Sequence, residues 1–239
     1  MGQYSGFARR GAAALAASVA LMPLAGGAAH AADAQPRDFM PAPAGTKLGL
    51  LYYSYTTSDN YVDRDGNDVP DSGLDTNVAI LRYVQYFNVG NMLADFNVLL
   101  PMGKLSNMQL GGPEIDTKDF GIGDATFVFT IFPYVNHDKK QYVGIATYLN
   151  MPTGDYDANE PGLGTNRWSM TVQPAYYFNL TPKVSVDLVG DITVYGDNDD
   201  GPGGATIEQD PTYTALAIGN RALCHLAAVT LEAGNDPAL

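Results

Sequence analysis

The apolar positions of this chain recur at every second residue. In Lys183 to Tyr195, Val184, Val186, Leu188, Ile192 and Val194 share one parity, and Ser185, Asp187, Asp191 and Thr193 the other. Successive side chains of a strand point to opposite faces, so the pattern predicts a β-strand with one apolar and one polar face. Asn91 to Leu100 repeats it, with Met92, Ala94, Phe96, Val98 and Leu100 against Asn91, Asp95 and Asn97. Asp124 to Phe132 sets Ala125, Phe127, Phe129 and Ile131 against Asp124, Thr126 and Thr130. Arg167 to Phe178 sets Trp168, Met170, Val172 and Tyr176 against Arg167, Ser169, Thr171 and Gln173. In Tyr142 to Asn150, Val143, Ile145 and Leu149 oppose residues of mixed polarity. Thr46 to Thr56 and Leu74 to Phe87 alternate less clearly. An arginine facing mid-bilayer lipid costs about 2–4 kcal/mol, so Arg82 in the last segment is expected to face inward.

These segments run about 9–13 residues, long for a globular strand and suited to a tilted membrane strand. The connections between them alternate. Residues 57–73, 102–122, 152–165 and 196–210 make long ones; 88–90 and 179–182 are short and 133–140 intermediate. Long loops at one end and tight turns at the other are the pattern of an outer-membrane barrel. Tyr86, Phe87, Phe132, Tyr134, Tyr176, Tyr177 and Phe178 precede the shorter turns, while Tyr52, Tyr53, Tyr55, Tyr148, Trp168 and Tyr195 lie near the long loops. That distribution is expected to form two rims of amphipathic rings at the membrane–water interfaces. The fold class expected is therefore all-β, an antiparallel transmembrane β-barrel at residues 46–216.

The two ends read differently. Arg9 and Arg10 precede an Ala-rich apolar run, and Ala29-His30-Ala31 fits a small-x-small cleavage site, so residues 1–31 are expected to be a signal peptide. Residues 32–45, rich in Pro and Ala, are expected to be a flexible periplasmic lead-in. From Ala217 the alternation stops, and residues 217–239 read as an anomalous tail. Single-chain bacterial barrels close with an even strand number, and the 7–8 strands counted here fall about three to five short of a comfortable ring. The expectation is a truncated or frame-shifted product; a short helical plug or tail is the alternative. Cys224 and His225 fall in this stretch and are assigned no role.

Composition narrows the class further. The 239 residues carry 26 acidic and 13 Lys/Arg side chains, for a formal charge of −13. Loss of Arg9 and Arg10 with the leader would lower it by two, to −15. A polyanion of this kind does not hold a nucleic-acid backbone. One Cys excludes a disulfide framework and a Cys-cluster metal site.

The residues expected to line or plug the lumen are Arg82, Asp95, Asn97, Asp124, Thr126, Thr130, Arg167, Ser169, Thr171, Gln173, Asp187 and Asp191, with Val128 and Val189 as apolar interruptions. Two readings stay open for them. Either they pack and hydrogen-bond one another, with Arg167 or Arg82 paired to Asp187, Asp191 or Asp95, or they shape a path for a solute. The acidic loop Asp63, Asp65, Asn67, Asp71 places oxygens at alternate positions, as hard-cation loops do. It departs from the EF-hand pattern, because Gly66 is fourth and Leu74 twelfth; loose divalent bridging to lipopolysaccharide phosphates is the other reading. No cofactor is expected. No Ser/His/Asp set is convincing, and His137 falls in a turn, so the chain is not expected to be an enzyme.

Pro41-Ala42-Pro43-Ala44-Gly45-Thr46 with Leu51-Tyr52-Tyr53 resembles the start of the phenol-degradation meta-pathway outer-membrane protein family. Leu99-Leu100-Pro101-Met102-Gly103 and Gly121-Ile122-Gly123-Asp124 are similar to it as well. The most specific run is Tyr148-Leu149-Asn150-Met151-Pro152-Thr153-Gly154-Asp155-Tyr156, followed by Asn166-Arg167-Trp168-Ser169, Asp187-Leu188-Val189-Gly190-Asp191, Tyr195-Gly196-Asp197-Asn198 and Gln209-Asp210-Pro211. The resemblance spans about Pro41 to Thr214. It implies a barrel in the outer membrane of a Gram-negative bacterium that passes small hydrophobic, often aromatic, compounds. The partners implied are the lipid bilayer and lipopolysaccharide, the outer-membrane assembly machinery and the solutes. The rival readings are a non-transporting structural or surface barrel with a plugged lumen, and a soluble periplasmic lipid-binding barrel.

Overall fold

A computed structural model describes residues 37–63, 66–221 and 224–232. The expected signal peptide and residues 233–239 lie outside the described residues. Nine strands make one antiparallel sheet: β1 (Lys47–Ser58), β4 (Ser72–Val89), β5 (Met92–Leu110), β7 (Thr126–Asn136), β8 (Gln141–Asn150), β9 (Ser169–Thr181), β10 (Val184–Tyr195), β11 (Thr212–Arg221) and β12 (Cys224–Glu232). They are hydrogen-bonded in that order, each to its neighbour in sequence. Short pieces complete the set: β2 (Tyr61–Val62) pairs with β3 (Asp68–Val69), and β6 (Gly121–Ile122) pairs with β5. Among the described residues there is no α-helix, and β1 and β12 form the two edges without a ladder between them.

The faces of this sheet are inverted relative to a water-soluble protein. On β10, Ser185, Asp187, Asp191 and Thr193 are buried, while Leu188, Ile192 and Val194 are exposed. On β9, Thr171 and Gln173 are buried and Met170 is exposed. A sheet with polar groups on its covered face and Leu, Ile, Val and Met on its outer face suits a hydrocarbon solvent. The connections are two-sided as well. Gly90–Asn91, 137–140 and Pro182–Lys183 join strands at one end, and 59–71, 111–125, 151–168 and 196–211 at the other.

The structure moves several strand boundaries: β7 runs on to Asn136 through part of the expected 133–140 connection, β7 and β9 start two residues late at Thr126 and Ser169, and β5 and β11 change most. β5 continues through Leu110, where a loop from Met102 is expected, because Leu105 and Met108 are buried beyond the barrel with Leu74 and Leu163. At about 3.3 Å per residue this 19-residue strand reaches about 60 Å, well past the rim. β11 runs through position 216 to Arg221 and is followed by β12, so the expected change to a non-strand tail at residue 217 is not found in residues 217–221 and 224–232. The cause is visible in β11. Leu216 and Ile218 turn inward while Ala215 and Ala217 turn outward, so both faces are apolar and alternation disappears although the strand persists.

Residues 37–45, expected as a flexible lead-in, are folded against the inner wall. Phe39 is 3% exposed, Gly45 N–H donates to the Tyr86 carbonyl at 2.8 Å, and Tyr86 N–H donates to the Thr46 carbonyl at 2.9 Å.

Candidate functional site: the inner wall and its mouth

Strand register arranges the inward side chains in tiers across the wall. In one tier Asp95 lies opposite Tyr86 and Thr130, Thr130 opposite Ala146, and Ala146 opposite Gln173. Gln173 Nε2 continues it by donating to Asp191 Oδ2 at 3.5 Å. The tier on the loop side runs Asn97, Val128, Tyr148, Thr171, Thr193. On the turn side lie an apolar tier, Gly144, Ala175, Val189 and Leu216, and then Tyr142, Tyr177, Asp187 and Ile218. Val128 and Val189, expected to interrupt the polar surface, are both buried on this wall.

Most of the polar groups are engaged with one another. Arg82 Nε donates to Asn97 Oδ1 at 2.8 Å, and Asn97 Nδ2 donates to Asp95 Oδ1. Arg82 faces inward, as expected, and its ion pair is with Asp38 at 3.9 Å, a residue sequence reasoning did not single out. Thr171 and Thr193 share a hydroxyl bond of 2.8 Å, and Tyr148 Oη donates to Gln173 Oε1 at 3.0 Å. Nearer the mouth, Thr126 donates to Asn150 Oδ1, and Asn150 Nδ2 donates to Ser169 Oγ at 2.9 Å. Asp187 Oδ2 accepts the Arg37 N–H at 3.3 Å. Thr130 is buried beside Asp95 in the register already given.

Asp124 and Arg167 sit in the loops of the mouth. Asp124, 2% exposed, accepts the Gly154 N–H on Oδ1 at 2.8 Å and the Thr165 N–H on Oδ2 at 2.8 Å. The Thr165 hydroxyl donates to the same Oδ2 at 2.5 Å. The loops pack so closely that a Cβ on Gly154 would fall 2.7 Å from the Gly123 carbonyl carbon. Asn198 extends the network to the next loop, accepting from Asn166 Nδ2 at 2.9 Å and donating to the Thr165 carbonyl at 3.3 Å. Arg167 lies over the Tyr195 ring, 5.1 Å from its centroid. Burial pulls its guanidinium below its usual pKa, while Tyr195 and Asp124 oppose that shift.

The aromatic rims are half as populated as expected. Tyr53, Tyr55, Tyr134 and Trp168 are exposed, and Phe87 meets Phe129 on the outer face at 6.3 Å. Tyr176 and Phe178 stack at 5.0 Å on that face. Tyr86, Phe132 and Tyr177 are instead buried on the inner face, and Tyr148 joins the inner hydrogen bonds. Period-2 geometry demands this split for adjacent rings such as Tyr86–Phe87 and Tyr176–Tyr177, whereas Phe132 and Tyr134, two residues apart, are separated by a register shift between Ile131 and Tyr134.

In the acidic loop the described groups bond one another. Asp63 Oδ1 accepts the Asn67 N–H at 2.8 Å and Asp63 Oδ2 accepts Asn67 Nδ2 at 3.2 Å, closing the β2–β3 hairpin. Asp65 lies outside the described residues, and Asp71 adopts φ +53° at the entry to β4. No group of three acidic, His or Cys side chains suited to a metal occurs among the described residues. Gly144 was legible in principle, since a glycine inside a strand marks close approach of another group. A Cβ there would lie 2.5 Å from Phe39 Cδ1 and 3.2 Å from Phe132 Cε1. No sequence signal pointed to Asp38 or Phe39.

An inverted, curled antiparallel sheet with loops gathered at one end defines an outer-membrane β-barrel channel class. The chain belongs to the family described as "Putative MetA-pathway of phenol degradation", whose model matches residues 58–228. The match runs past residue 214, where the sequence resemblance ended, and into β12. Among solved structures the chain is similar to the COG4313 outer membrane channel from Pseudomonas putida F1, with 31% identity and a TM-score of 0.70. That similarity covers 83% of this chain and 74% of the channel. No curated protein matches the chain at a significant level.

Proposed function

We propose that this protein sits in the outer membrane of a Gram-negative bacterium, delivered there after cleavage of its leader, and lets small hydrophobic compounds, aromatic ones included, pass through its lumen. The supporting observation is the inverted wall. Polar tiers at Asp95, Gln173 and Asp191 alternate inside with an apolar tier at Gly144, Ala175 and Val189, behind an apolar outer face. Such a surface offers a solute alternating wet and greasy steps without a deep well, and passage needs easy entry and easy exit. The candidate lumen residues then shape a path rather than bind tightly. Family membership and the likeness to an outer-membrane channel support the same reading. Bilayer lipid, lipopolysaccharide and the assembly machinery are the macromolecular partners proposed.

A plugged, non-transporting barrel has its own support, because Phe39 fills part of the lumen and Asp124 stitches loops over the mouth. Flux separates the two. Liposomes containing the full chain are expected to take up toluene faster than protein-free vesicles. Equal rates would contradict passage and favour the plug.

A further inference from the structure

The Phe39 ring is delivered to the inner wall by a segment that belongs to no strand, and it rests where the wall has no side chain. Gly144 lies directly beneath it, and Ala175 stands opposite Gly144 in the register. Phe132 Cε1 comes within 3.2 Å of the position a Cβ on Gly144 would take and is buried in the same cluster. Polar ties flank the ring: Asp38 pairs with Arg82 at 3.9 Å, and the Arg37 N–H donates to Asp187 at 3.3 Å. The ring itself makes only apolar contacts, and the wall beneath it is flat and apolar at Gly144 and Ala175.

We propose that the Gly144–Ala175 floor is a binding subsite for a single aromatic ring, which Phe39 occupies until a solute ring replaces it. The inference rests on the channel reading and gives it a location. The exchange trades one buried ring for another, so the wall stays filled throughout, and close packing makes a vacated seat unfavourable. A planar ring can lay a whole face on Gly144; an alkyl chain of similar mass touches it along one edge. Dry cavities lined by aliphatic and aromatic side chains take up benzene-like guests.

The test uses the full chain in detergent micelles, para-fluorotoluene as probe and fluorine NMR as readout. Unboiled gel mobility checks that each variant is folded. Phe39→Ala is expected to bind the probe about tenfold more tightly than the unaltered chain, because the competitor is gone. Phe39→Ala with Gly144→Val refills the seat and is expected to return to the original affinity. Excess toluene should displace the probe, whereas hexane at equal concentration should not. If Phe39→Ala does not fold, Phe39→Leu is expected to show the same direction of change. No gain on removing Phe39, or a gain that survives Gly144→Val, would overturn the proposal. Flux without ring binding defeats this subsite alone; ring binding without flux defeats the channel reading alone.

Discussion

Asp124 shows how one side chain can organise the mouth. Its two oxygens satisfy the backbone N–H groups of Gly154 and Thr165, which belong to the same long loop but lie on either side of its tip. Buried N–H groups left without an acceptor cost about 1–3 kcal/mol each. Asp124→Ala is therefore expected to lower unfolding stability by about that amount or more, read as a drop in the urea midpoint of the lipid-embedded chain. An unchanged midpoint would mean that the loop is held by something else. The sequence placed Asp124 at the start of a strand and in the lumen, whereas it precedes β7 and lies in the loops of the mouth. Parity reports a face; it does not report height along a barrel. Arg82 is the converse case: the cost of a charge in lipid correctly turned it inward, but its partner, Asp38, could not be read because no periodicity links the segment before β1 to the wall.

At the level of the strand, legibility depended on contrast between faces. β10 was plain because Asp187 and Asp191 alternate with Leu188 and Ile192. β11 was obscure beyond Leu216 because Ala and Leu share hydrophobicity on opposite faces, and β5 was cut short because its protruding end buries Leu105 and Met108 against loops. Adjacent rings were all assigned to the rims although half of each pair must turn inward. The outer face makes a sharp prediction. Leu188→Arg is expected to cost about 2–4 kcal/mol of stability in a bilayer, with the penalty falling towards zero for the same change near a rim. Titrating each variant's unfolding with urea in lipid vesicles measures it. Equal tolerance at Leu188 and at a rim position such as Leu180 would argue that this face does not meet hydrocarbon.

For the molecule as a whole, the question is which solvent each face meets. The sheet curls so that Asp95, Gln173, Asp187 and Asp191 are covered and Leu188, Ile192, Phe129 and Met170 are not. In water that arrangement would present a large apolar surface and would aggregate; in a membrane it is the stable one. The edges β1 and β12 carry unpaired backbone groups among the described residues, which hydrocarbon penalises most heavily. The most direct test replaces Cys224 with Ser, introduces single cysteines along positions 184–195, and attaches a spin label at each in bilayers. Collision with oxygen, which concentrates in lipid, is predicted to peak at 188, 192 and 194 and to fall at 187, 191 and 193. A scan with no two-residue rhythm, or one in which a water-soluble nickel chelate reaches 188 and 192 more readily than oxygen does, would contradict the account.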